Sequence, residues 1–454
     1  MTERVPTVVI VGGGFAGLSA ARALRSAPAR IVLIDQTNHH LFQPLLYQVA
    51  ISVLAPGQIA APIREILSGQ RNVTVVMAEV VGVDKDKKLV FASSADRERV
   101  PISYDYLILA TGATHSYFGH NEFAKHAPGL KSLADAVSIR NKILSAFEQA
   151  EAEEDVHAHR DLLTFVLVGG GPAGVEMAGA IAVLVRNSLR TQFRRIDPTS
   201  ARVVLINRSK KLLGAYADDL SKAAKDRLEK LGVDVRLEQG VDQIDADGVV
   251  VAGERILSKT VIWTAGVAPS PAGKWLGAET DRAGRVRIQP DLTAPGRPEI
   301  FVVGDTASLD QDGKPLGGVA QVAIQQGHYA GKAILRRVTG KLAPGPFRYF
   351  DKGTMAVVGL GYAVLQSGKI HLKGYVAWLA WAVVHVMSLA QPSLRISVFL
   401  QWIWTYLMNQ RGSRLIVNHY GTPPETTAPK TTEQATPTSA SSSIPVIRET
   451  NYVR

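Results

Sequence analysis

The sequence predicts an α/β protein with two Rossmann-like dinucleotide-binding units followed by an apolar, helical carboxy-terminal region. Three observations support this fold class. A glycine-rich strand, turn and helix pattern occupies Val8–Asp35, a second copy occupies Phe165–Asn207, and a tryptophan-rich stretch without acidic residues follows Lys352. The 454 residues are enough for about two or three domains.

The first unit begins with four β-branched residues at Val8–Val11, which run directly into GGGFAG and an alanine-rich helical pattern. In such a βαβ unit Gly12 allows the tight turn, Gly14 lets the backbone approach a pyrophosphate, and Gly17 lets the helix pack on the strand. The helix amides then face the phosphates. Asp35 ends the second strand, where a carboxylate can accept hydrogen bonds from the adenosine ribose. This order of elements favours dinucleotide binding over a turn that binds nothing.

The second unit repeats the first. FVLVGGGPAGVE at Phe165–Glu176 copies Val8–Ser19, with Gly169, Gly171 and Gly174 at the same spacing. Further along, TVIWTAG at residues 260–266 repeats the pattern of LILATGA at 107–113. Two such units in one chain predict two nucleotides held face to face.

The two units differ at the end of their second strand. Asp35 in the first is replaced in the second by Asn207, followed by Arg208. A carboxylate favours the free ribose hydroxyl of NADH, whereas a neutral amide beside an arginine tolerates the 2′-phosphate of NADPH. A solvated Arg208 and an Asn207 that still binds the ribose explain the pattern equally well, so NADPH stays possible.

Composition excludes some chemistries. The chain has no cysteine, which rules out a dithiol relay, a disulfide and iron–sulfur ligation by this polypeptide. The net charge of +11 favours an acidic partner without identifying it. The sequence shows no basic helix with interleaved aromatic residues, so nucleic-acid binding is not predicted. No metal site is predicted either. Only MTERVPT precedes the first strand, and we therefore expect a protein on the cytoplasmic side.

The last hundred residues have a different composition. Between Lys352 and Pro424 there is no aspartate or glutamate, and four of the six tryptophans lie there. Tyr375–Leu389 and Ile396–Met408 are apolar helical runs of 15 and 13 residues, shorter than the roughly 20 residues of a membrane-spanning helix. Tryptophans and flanking cations predict in-plane, monotopic attachment to an anionic lipid surface. A hydrophobic dimer interface and a buried core pair remain alternatives.

The motifs GGGFAG, LILATGA, GGGPAGVEMAG, VIWTAG, VVGD and AQVAIQQG, in this order over residues 8–345, closely resemble those of the type II NADH dehydrogenases. These are NADH:quinone oxidoreductases within the larger group of flavoproteins with two dinucleotide domains. The resemblance implies that the first unit binds FAD, that the second binds NAD(P)H, and that the chain is a homodimer. It also implies that Asp305 lies near the flavin ribityl chain and that the helix from Ala320 points at the flavin ring. FQPLLYQVA at Phe42–Ala50 would line the flavin and the access path of the quinone.

Carried over residue by residue, the resemblance gives candidate cofactor ligands. For FAD they are Gly12, Gly14, Phe15, Ala16, Gly17, Asp35, Gln36, Thr111, Gly112, Asp305, Ala320 and Gln321. For NAD(P)H they are Gly169, Gly171, Pro172, Gly174, Glu176, Asn207, Arg208 and Gly266. The predicted domains are 1–115 with 290–345 for FAD, 116–289 for NAD(P)H, 346–420 for membrane attachment, and a disordered tail at 421–454.

Four polar residues are candidates for the chemistry. Glu176 is expected in the first turn of its helix, where the resemblance implies contact with nicotinamide or proton relay at the flavin; the alternative is a carboxylate that only complements the helix dipole. Gln321 and Gln325 share a helix face, and an amide can donate to a quinone carbonyl. The resemblance gives Gln321 that role, against simple capping or core hydrogen bonding. Tyr47 is a further quinone candidate.

These expectations combine into a monotopic flavoenzyme that oxidises NADH and reduces a membrane quinone without pumping protons, at the cytoplasmic face of the inner membrane. Three alternatives remain open. They are a soluble NAD(P)H-dependent reductase of a ferredoxin-type carrier, an NADPH-preferring quinone reductase, and a redox sensor that binds nucleotide and changes partners.

Overall fold

The computed structural model describes residues 4–408 and 412–417. By its internal contacts the chain divides into Met1–Ile416 and Val417–Arg454, and the description below concerns the first of these. The tail predicted to be disordered, 421–454, lies outside the described residues.

The first sheet is the base of the first nucleotide unit. It has six strands, in the spatial order Thr293–Ala294, Arg297–Val302, Tyr106–Leu109, Thr7–Val11, Arg30–Asp35 and Val73–Met77. The last five run parallel to one another, and Thr293–Ala294 is antiparallel to its neighbour. Parallel strands covered on both faces read as continuous apolar runs, and Val8–Val11 is buried throughout.

The second sheet repeats this arrangement with four parallel strands, in the order Val233–Leu237, Arg202–Asn207, Thr164–Val168 and Thr260–Trp263. The two halves are joined by a short antiparallel pair, Ala113–His115 with Val267–Pro269. The predicted α/β class with two Rossmann-like units is confirmed.

Helices cover these sheets. In chain order the described helices are α1 Phe15–Ala23, α2 Leu46–Ala50, α3 Ile63–Ile66, α4 Leu133–Ala152, α5 Val156–Leu162, α6 Pro172–Val183, α7 Asp218–Lys230, α8 Ala272–Leu276, α9 Ala320–Val338, α10 Tyr375–Ser388 and α11 Pro392–Met408. A π-helical turn, Leu184–Ser188, extends α6.

Antiparallel strands form three smaller sheets. The first two are Glu79–Asp84, Leu89–Ser94 and Arg97–Ser103, and Val241–Asp245, Gly248–Val251 and Glu254–Leu257. The third, the C-terminal sheet, contains Thr354–Val357, Ala363–Ser367 and Ile370–Gly374. Short pairs link His39–Leu41 with Ala60–Pro62, Val286–Arg287 with Ala307–Ser308, and Asp310–Gln311 with Lys314–Pro315.

The carboxy-terminal region differs from its prediction in two respects. It begins with the C-terminal sheet, which the sequence analysis did not predict. The second apolar helix begins at Pro392 rather than Ile396, because a proline in the first turn lacks only an amide hydrogen that the helix does not use.

Helices α10 and α11 are buried on one side only. Trp381 and Val398 are in the core, whereas Val383 is 63% exposed and Phe399 is 54% exposed. Within residues 4–408 and 412–417, no helix combines the length and the apolar character needed to cross a membrane. The two helices therefore close the core with one face and leave an apolar face uncovered.

Candidate active site

In each of the two glycine loops, some glycines are required by the backbone conformation or by packing, and one glycine is not. Gly12 and Gly169 have φ values of 103° and 119°, a left-handed conformation that favours glycine. A Cβ on Gly17 would lie 1.8 Å from the Gly12 oxygen, and Gly174 repeats this contact with Gly169.

Gly14 and Gly171 are different. A Cβ on either would meet no protein atom within 4 Å. Packing therefore does not explain these two glycines, and the space beside them fits a bound phosphate group.

Helix N-termini complete both loops. No described side chain caps α1 at Gly14 or α6 at Gly171, and neither helix has an acidic residue in its first turn. The first amides of such helices have no intrahelical partner and suit an anion. Pro172 opens α6, where its missing amide hydrogen costs nothing.

The second-strand residues Asp35 and Asn207 hold their glycine loops in the same way. Gly13 N–H donates to Asp35 Oδ2 at 2.6 Å, and Gly170 N–H donates to Asn207 Oδ1 at 3.1 Å. Asn207 Nδ2 also donates to the Ser209 and Lys211 carbonyls at 3.2 and 2.9 Å. Because the Asn207 amide group is thus committed to its own loop, it has no further hydrogen to give a ribose. Gln36 and Arg208 are both exposed.

The strand ending in Leu109 leads to a cluster of hydroxyl groups. Thr111 Oγ1 lies 2.5 Å from Ser270 Oγ and 3.0 Å from Thr306 Oγ1, and Thr306 donates to the Gly112 carbonyl at 2.9 Å. The adjacent Asp305 is half-buried. Gly266, at φ 73°, has no room for a side chain because a Cβ would lie 2.4 Å from Phe118.

Helix α9 packs tightly on α1. A Cβ on Gly327 would lie 2.0 Å from the Ala16 oxygen, so these helices touch through their backbones. Ala320 and Gln321 form the first turn of α9, which no described side chain caps. Gln326, which the sequence analysis did not single out, is buried and accepts a hydrogen bond from Gly304 N–H at 2.7 Å; its residue type alone gives no signal of this role.

Gln325 is engaged elsewhere. Its Nε2 donates to the Phe350 carbonyl at 2.9 Å, and its Oε1 accepts from Phe350 N–H at 3.0 Å. This pair of bonds fastens the segment before the C-terminal sheet to α9. The geometry gives Gln325 a structural task that competes with its predicted contact to quinone.

Aromatic rings connect α1 to the carboxy-terminal helices. Phe15 makes edge contacts with His40 and Phe42 at 5.1 and 5.8 Å, and Phe42 contacts His385 of α10 at 6.2 Å. His40 lies with Nδ1 3.0 Å from the Gly13 oxygen, and burial lowers its pKa. Burial lowers the pKa of His385 to about 4, so its ring is neutral.

Glu176 does not lie where the sequence analysis expected it. It is the fifth residue of α6, in the second turn rather than the first, so the alternative that it merely complements the helix dipole is wrong. The side chain is 9% exposed, and Oε1 accepts a single, long hydrogen bond of 3.4 Å from Val357 N–H. Burial raises the pKa of Glu176 to about 8. A carboxyl group in this state holds a proton near neutral pH.

Glu176 lines a cavity between α2, α6, α10, α11 and the C-terminal sheet. The cavity has a volume of about 80 Å³, and the non-atom space around it amounts to about 670 Å³ when the open solvent at its mouth is included. Its wall is formed by Tyr47, Gln48, Ile51, Val53, Glu176, Ala180, Val183, Val357, Gly359, Leu360, Trp378, Trp381, Trp402 and Thr405. Mostly apolar walls with a few polar groups are typical of small-molecule sites.

One wall of the cavity carries a hydrogen-bonded chain. Trp402 Nε1–H donates to Gln48 Oε1 at 2.7 Å, and Gln48 Nε2 donates to Tyr47 Oη at 3.1 Å. Trp381 stacks on Trp402 with ring centres 5.1 Å apart. Tyr47 was predicted from the sequence, whereas Gln48, the next residue of FQPLLYQVA, was not. Gln321 is not part of this wall, so the structure does not bring all the quinone candidates together.

Comparisons with known proteins agree with this geometry. Residues 6–327 match the family of pyridine nucleotide-disulphide oxidoreductases. The type II NADH:quinone oxidoreductase Ndh of Mycobacterium tuberculosis is 44% identical over 422 residues, which cover 90% of each chain. NdhA of the same organism is 44% identical over 425 residues, covering 90% of this chain and 89% of that protein.

Among solved structures, NDH2 of Plasmodium falciparum has a TM-score of 0.82 and covers 91% of this chain and 100% of its own. At 19% identity this likeness shows the fold alone. Since this chain has no cysteine, it shares the family's fold without a thiol chemistry. The chain belongs to the pyridine nucleotide-disulphide oxidoreductase family and, within it, to the type II NADH:quinone oxidoreductases.

Proposed function

We propose that this protein oxidises NADH and reduces a quinone that binds in the cavity beside Glu176. The observation that carries the proposal is the pairing of an apolar cavity with one buried carboxyl group whose pKa is raised to about 8. Quinone reduction to quinol needs two electrons and two protons, and a protonated acid in a dry wall can supply one of those protons.

FAD and NADH fit the two glycine loops. The open space beside Gly14 and Gly171 and the uncapped amides of α1 and α6 support pyrophosphate binding there. We assign residues 1–115 and 290–345 to FAD and 116–289 to the nicotinamide nucleotide, because the first sheet draws its strands from both parts of the former range. Asp35, Gln36, Thr111, Gly112, Asp305 and Ala320 are the further FAD candidates. When bound, FAD accepts hydride from the nicotinamide and passes electrons onward.

The chain's own groups then have separate tasks in the cavity. The Trp402, Gln48 and Tyr47 chain fixes one polar wall, and the stacked rings of Trp381 and Trp402 exclude water. Glu176 holds the proton that the reduced quinone takes up. Gln321, in the first turn of α9, does not line this cavity, and its contact with a quinone carbonyl is proposed from the family resemblance.

The nucleotide preference is proposed to favour NADH. Asn207 donates its amide hydrogens to carbonyl groups of its own loop. Arg208 has no described hydrogen bond that would position it for a 2′-phosphate. A ferredoxin-type reductase shares the glycine loops, but a tryptophan-walled cavity has no task in reducing a protein carrier.

The uncovered faces of α10 and α11 support membrane attachment. They expose large apolar residues from Val376 to Met408, and the stretch that contains both helices carries cations and no acidic residue. Such a surface suits an in-plane position on an anionic leaflet, where quinone is dissolved. The cytoplasmic face of the membrane, expected from the sequence alone, and a homodimer, implied by the family resemblance, both stay predictions.

Membrane attachment is tested on the full chain, because Trp381 and Val398 belong to the core and deletion of the helices would open it. Val383→Lys combined with Phe399→Lys should abolish co-sedimentation with vesicles that contain anionic lipid. Met77→Lys is the matched control, since Met77 is 58% exposed and lies on the first sheet. Unchanged sedimentation of the double variant would refute the attachment surface.

The catalytic proposal is tested by steady-state assays of the purified, flavin-loaded protein with NADH and a short-chain quinone. We expect rapid quinone reduction and no reduction of a ferredoxin. A colourless protein that takes up no flavin, or one that reduces only a protein carrier, would contradict the proposal.

A further inference from the structure

Tyr216 is a buried phenol that the proposed chemistry does not yet use. It lies just before α7, is 3% exposed, and accepts a hydrogen bond from Thr354 Oγ1 at 2.8 Å. Thr354 is the first residue of the C-terminal sheet and is exposed. The hydroxyl pair therefore joins the protein interior to bulk water.

The same short strand reaches Glu176. Thr354–Val357 contacts Tyr216 through Thr354 and contacts the Glu176 carboxylate through Val357 N–H. Tyr216 is also close enough to Glu176 for the charge of that carboxylate to add to the effect of burial in raising the pKa of the phenol. One strand thus brings the phenol and the carboxyl group into the same buried region.

Proton balance requires such a connection. In NADH + H⁺ + quinone → NAD⁺ + quinol, hydride supplies two electrons and one proton, and the second proton comes from water. Glu176 can deliver that proton once, but each further turnover requires it to be replaced. Apolar residues make up most of the cavity wall, so the cavity offers few side chains that could carry a replacement proton to Glu176.

We propose that the hydroxyl groups of Thr354 and Tyr216 carry protons from bulk water to Glu176. The inference rests on the proposed function. A proton enters at Thr354 Oγ1, the hydroxyl hydrogen of Thr354 moves to Tyr216 Oη, and the phenolic hydrogen moves to the Glu176 carboxylate through intervening water. Both residues act through Glu176 and are positioning residues for its proton.

Two polar side chains near Tyr216 are engaged in other hydrogen bonds. Lys211 Nζ donates to the Tyr216 carbonyl at 2.9 Å and to Asp218 at 2.7 Å. Gln366 Oε1 accepts from Ala217 N–H at 2.9 Å. Because the pKa of Tyr216 is raised, the phenol does not store a negative charge, and it passes a proton only while it receives another from Thr354.

The test uses Thr354 because it is exposed and its substitution leaves the core intact. Thr354→Val removes the hydroxyl group at constant shape, and Thr354→Ser restores the hydroxyl. The first readout is infrared: the carbonyl band of the protonated Glu176 carboxyl group, identified by its loss in Glu176→Gln, shifts when the protein is mixed with D₂O. We expect the exchange to be about tenfold slower in Thr354→Val and in Tyr216→Phe, and as fast as in the wild type in Thr354→Ser.

The second readout is turnover. Quinone reduction by Thr354→Val should slow about tenfold with a larger solvent isotope effect, whereas reduction of ferricyanide, which takes up no proton, should not change. Wild-type exchange and turnover in Thr354→Val would overturn the route while leaving the role of Glu176 intact. Wild-type quinone reduction by Glu176→Gln would instead refute Glu176 as the proton donor, and a wild-type protein that reduces no quinone would refute the proposed function itself.

Discussion

The two glycine loops are nearly the same structure, and they differ most at one position of the helix that follows each loop. Ser19 in α1 and Glu176 in α6 are equivalent in the repeated pattern. Ser19 donates to the Ile324 carbonyl at 2.8 Å and fastens α1 to α9. Glu176 instead faces a cavity with one weak hydrogen bond and a pKa raised to about 8. Both units are proposed to bind a nucleotide. The buried Glu176 distinguishes the second unit as the one proposed to transfer a proton.

A second difference lies at the end of the following strand. Asp35 and Asn207 both hold a glycine-loop amide, but only Asp35 is a carboxylate, and it also accepts hydrogen bonds from the backbone N–H and the hydroxyl of Thr37. Both units thus keep the hydrogen bond between the glycine loop and the residue that ends the second strand, while the chemical type of that residue differs.

The largest expected effect comes from removing the acid. Glu176→Gln keeps the shape of the side chain but cannot give up a proton, so quinone reduction should fall by about 10²- to 10⁴-fold. Ferricyanide reduction should be largely retained. Ser19→Ala is the matched control at the equivalent position and should only lower the free energy of unfolding, by about 1 kcal/mol. If Glu176→Gln lowered quinone reduction and ferricyanide reduction equally, the proposed role of Glu176 as proton donor would be contradicted.

The pH dependence of stability gives the next effect. Because the folded-state pKa of Glu176 is about 8 and lies above its unfolded value, the folded protein binds more protons in this range, and its stability falls as the pH rises from about 4.5 to 8. Glu176→Gln removes this loss. The free energy of unfolding of Glu176→Gln relative to the wild type should therefore increase by about 4 kcal/mol between pH 5 and pH 9, as measured by urea unfolding. A difference that does not vary with pH would mean that Glu176 is not buried as described.

The contrast between the two glutamines of α9 is smaller. Gln321→Leu should lower kcat/KM for quinone about tenfold by removing one hydrogen bond, with little change in ferricyanide reduction. Gln325→Leu should lower stability instead, because Gln325 binds the Phe350 backbone. If Gln325→Leu has the larger effect on quinone, the roles assigned to the two residues are reversed.

The smallest effect concerns the nucleotide. Asn207→Asp makes the second unit resemble the first and places a negative charge near a 2′-phosphate, so the preference for NADH over NADPH should rise about threefold to tenfold. The ratio of kcat/KM values for the two donors measures it. A preference that stays constant would mean that Asn207 does not face the ribose.

Local patterns were sufficient to predict the two nucleotide units. A run of β-branched residues, a fixed glycine spacing and an alanine-rich helix are each decided by neighbours in sequence, and all recur in Val8–Asp35 and Phe165–Asn207. The second apolar helix begins at Pro392, before the predicted Ile396, and its start is hard to predict because proline ends some helices and begins others.

The cavity depends on contacts between distant residues and was not predictable in this way. Gln48 bonds to Trp402 and Glu176 bonds to Val357, across 354 and 181 residues of chain. The task of Gln325 likewise depends on a backbone segment 25 residues away. Tyr216 belongs to no sequence motif, and both its burial and its hydrogen bond with Thr354 depend on the fold.

The most direct test is the pH profile of kcat with a short-chain quinone, compared with ferricyanide on the same flavin-loaded protein. If Glu176 supplies the proton, quinone reduction should fall tenfold per pH unit above about pH 8, as the acid loses its proton, while ferricyanide reduction stays level. Parallel profiles for the two acceptors across that range would contradict the assignment of Glu176 as the proton donor.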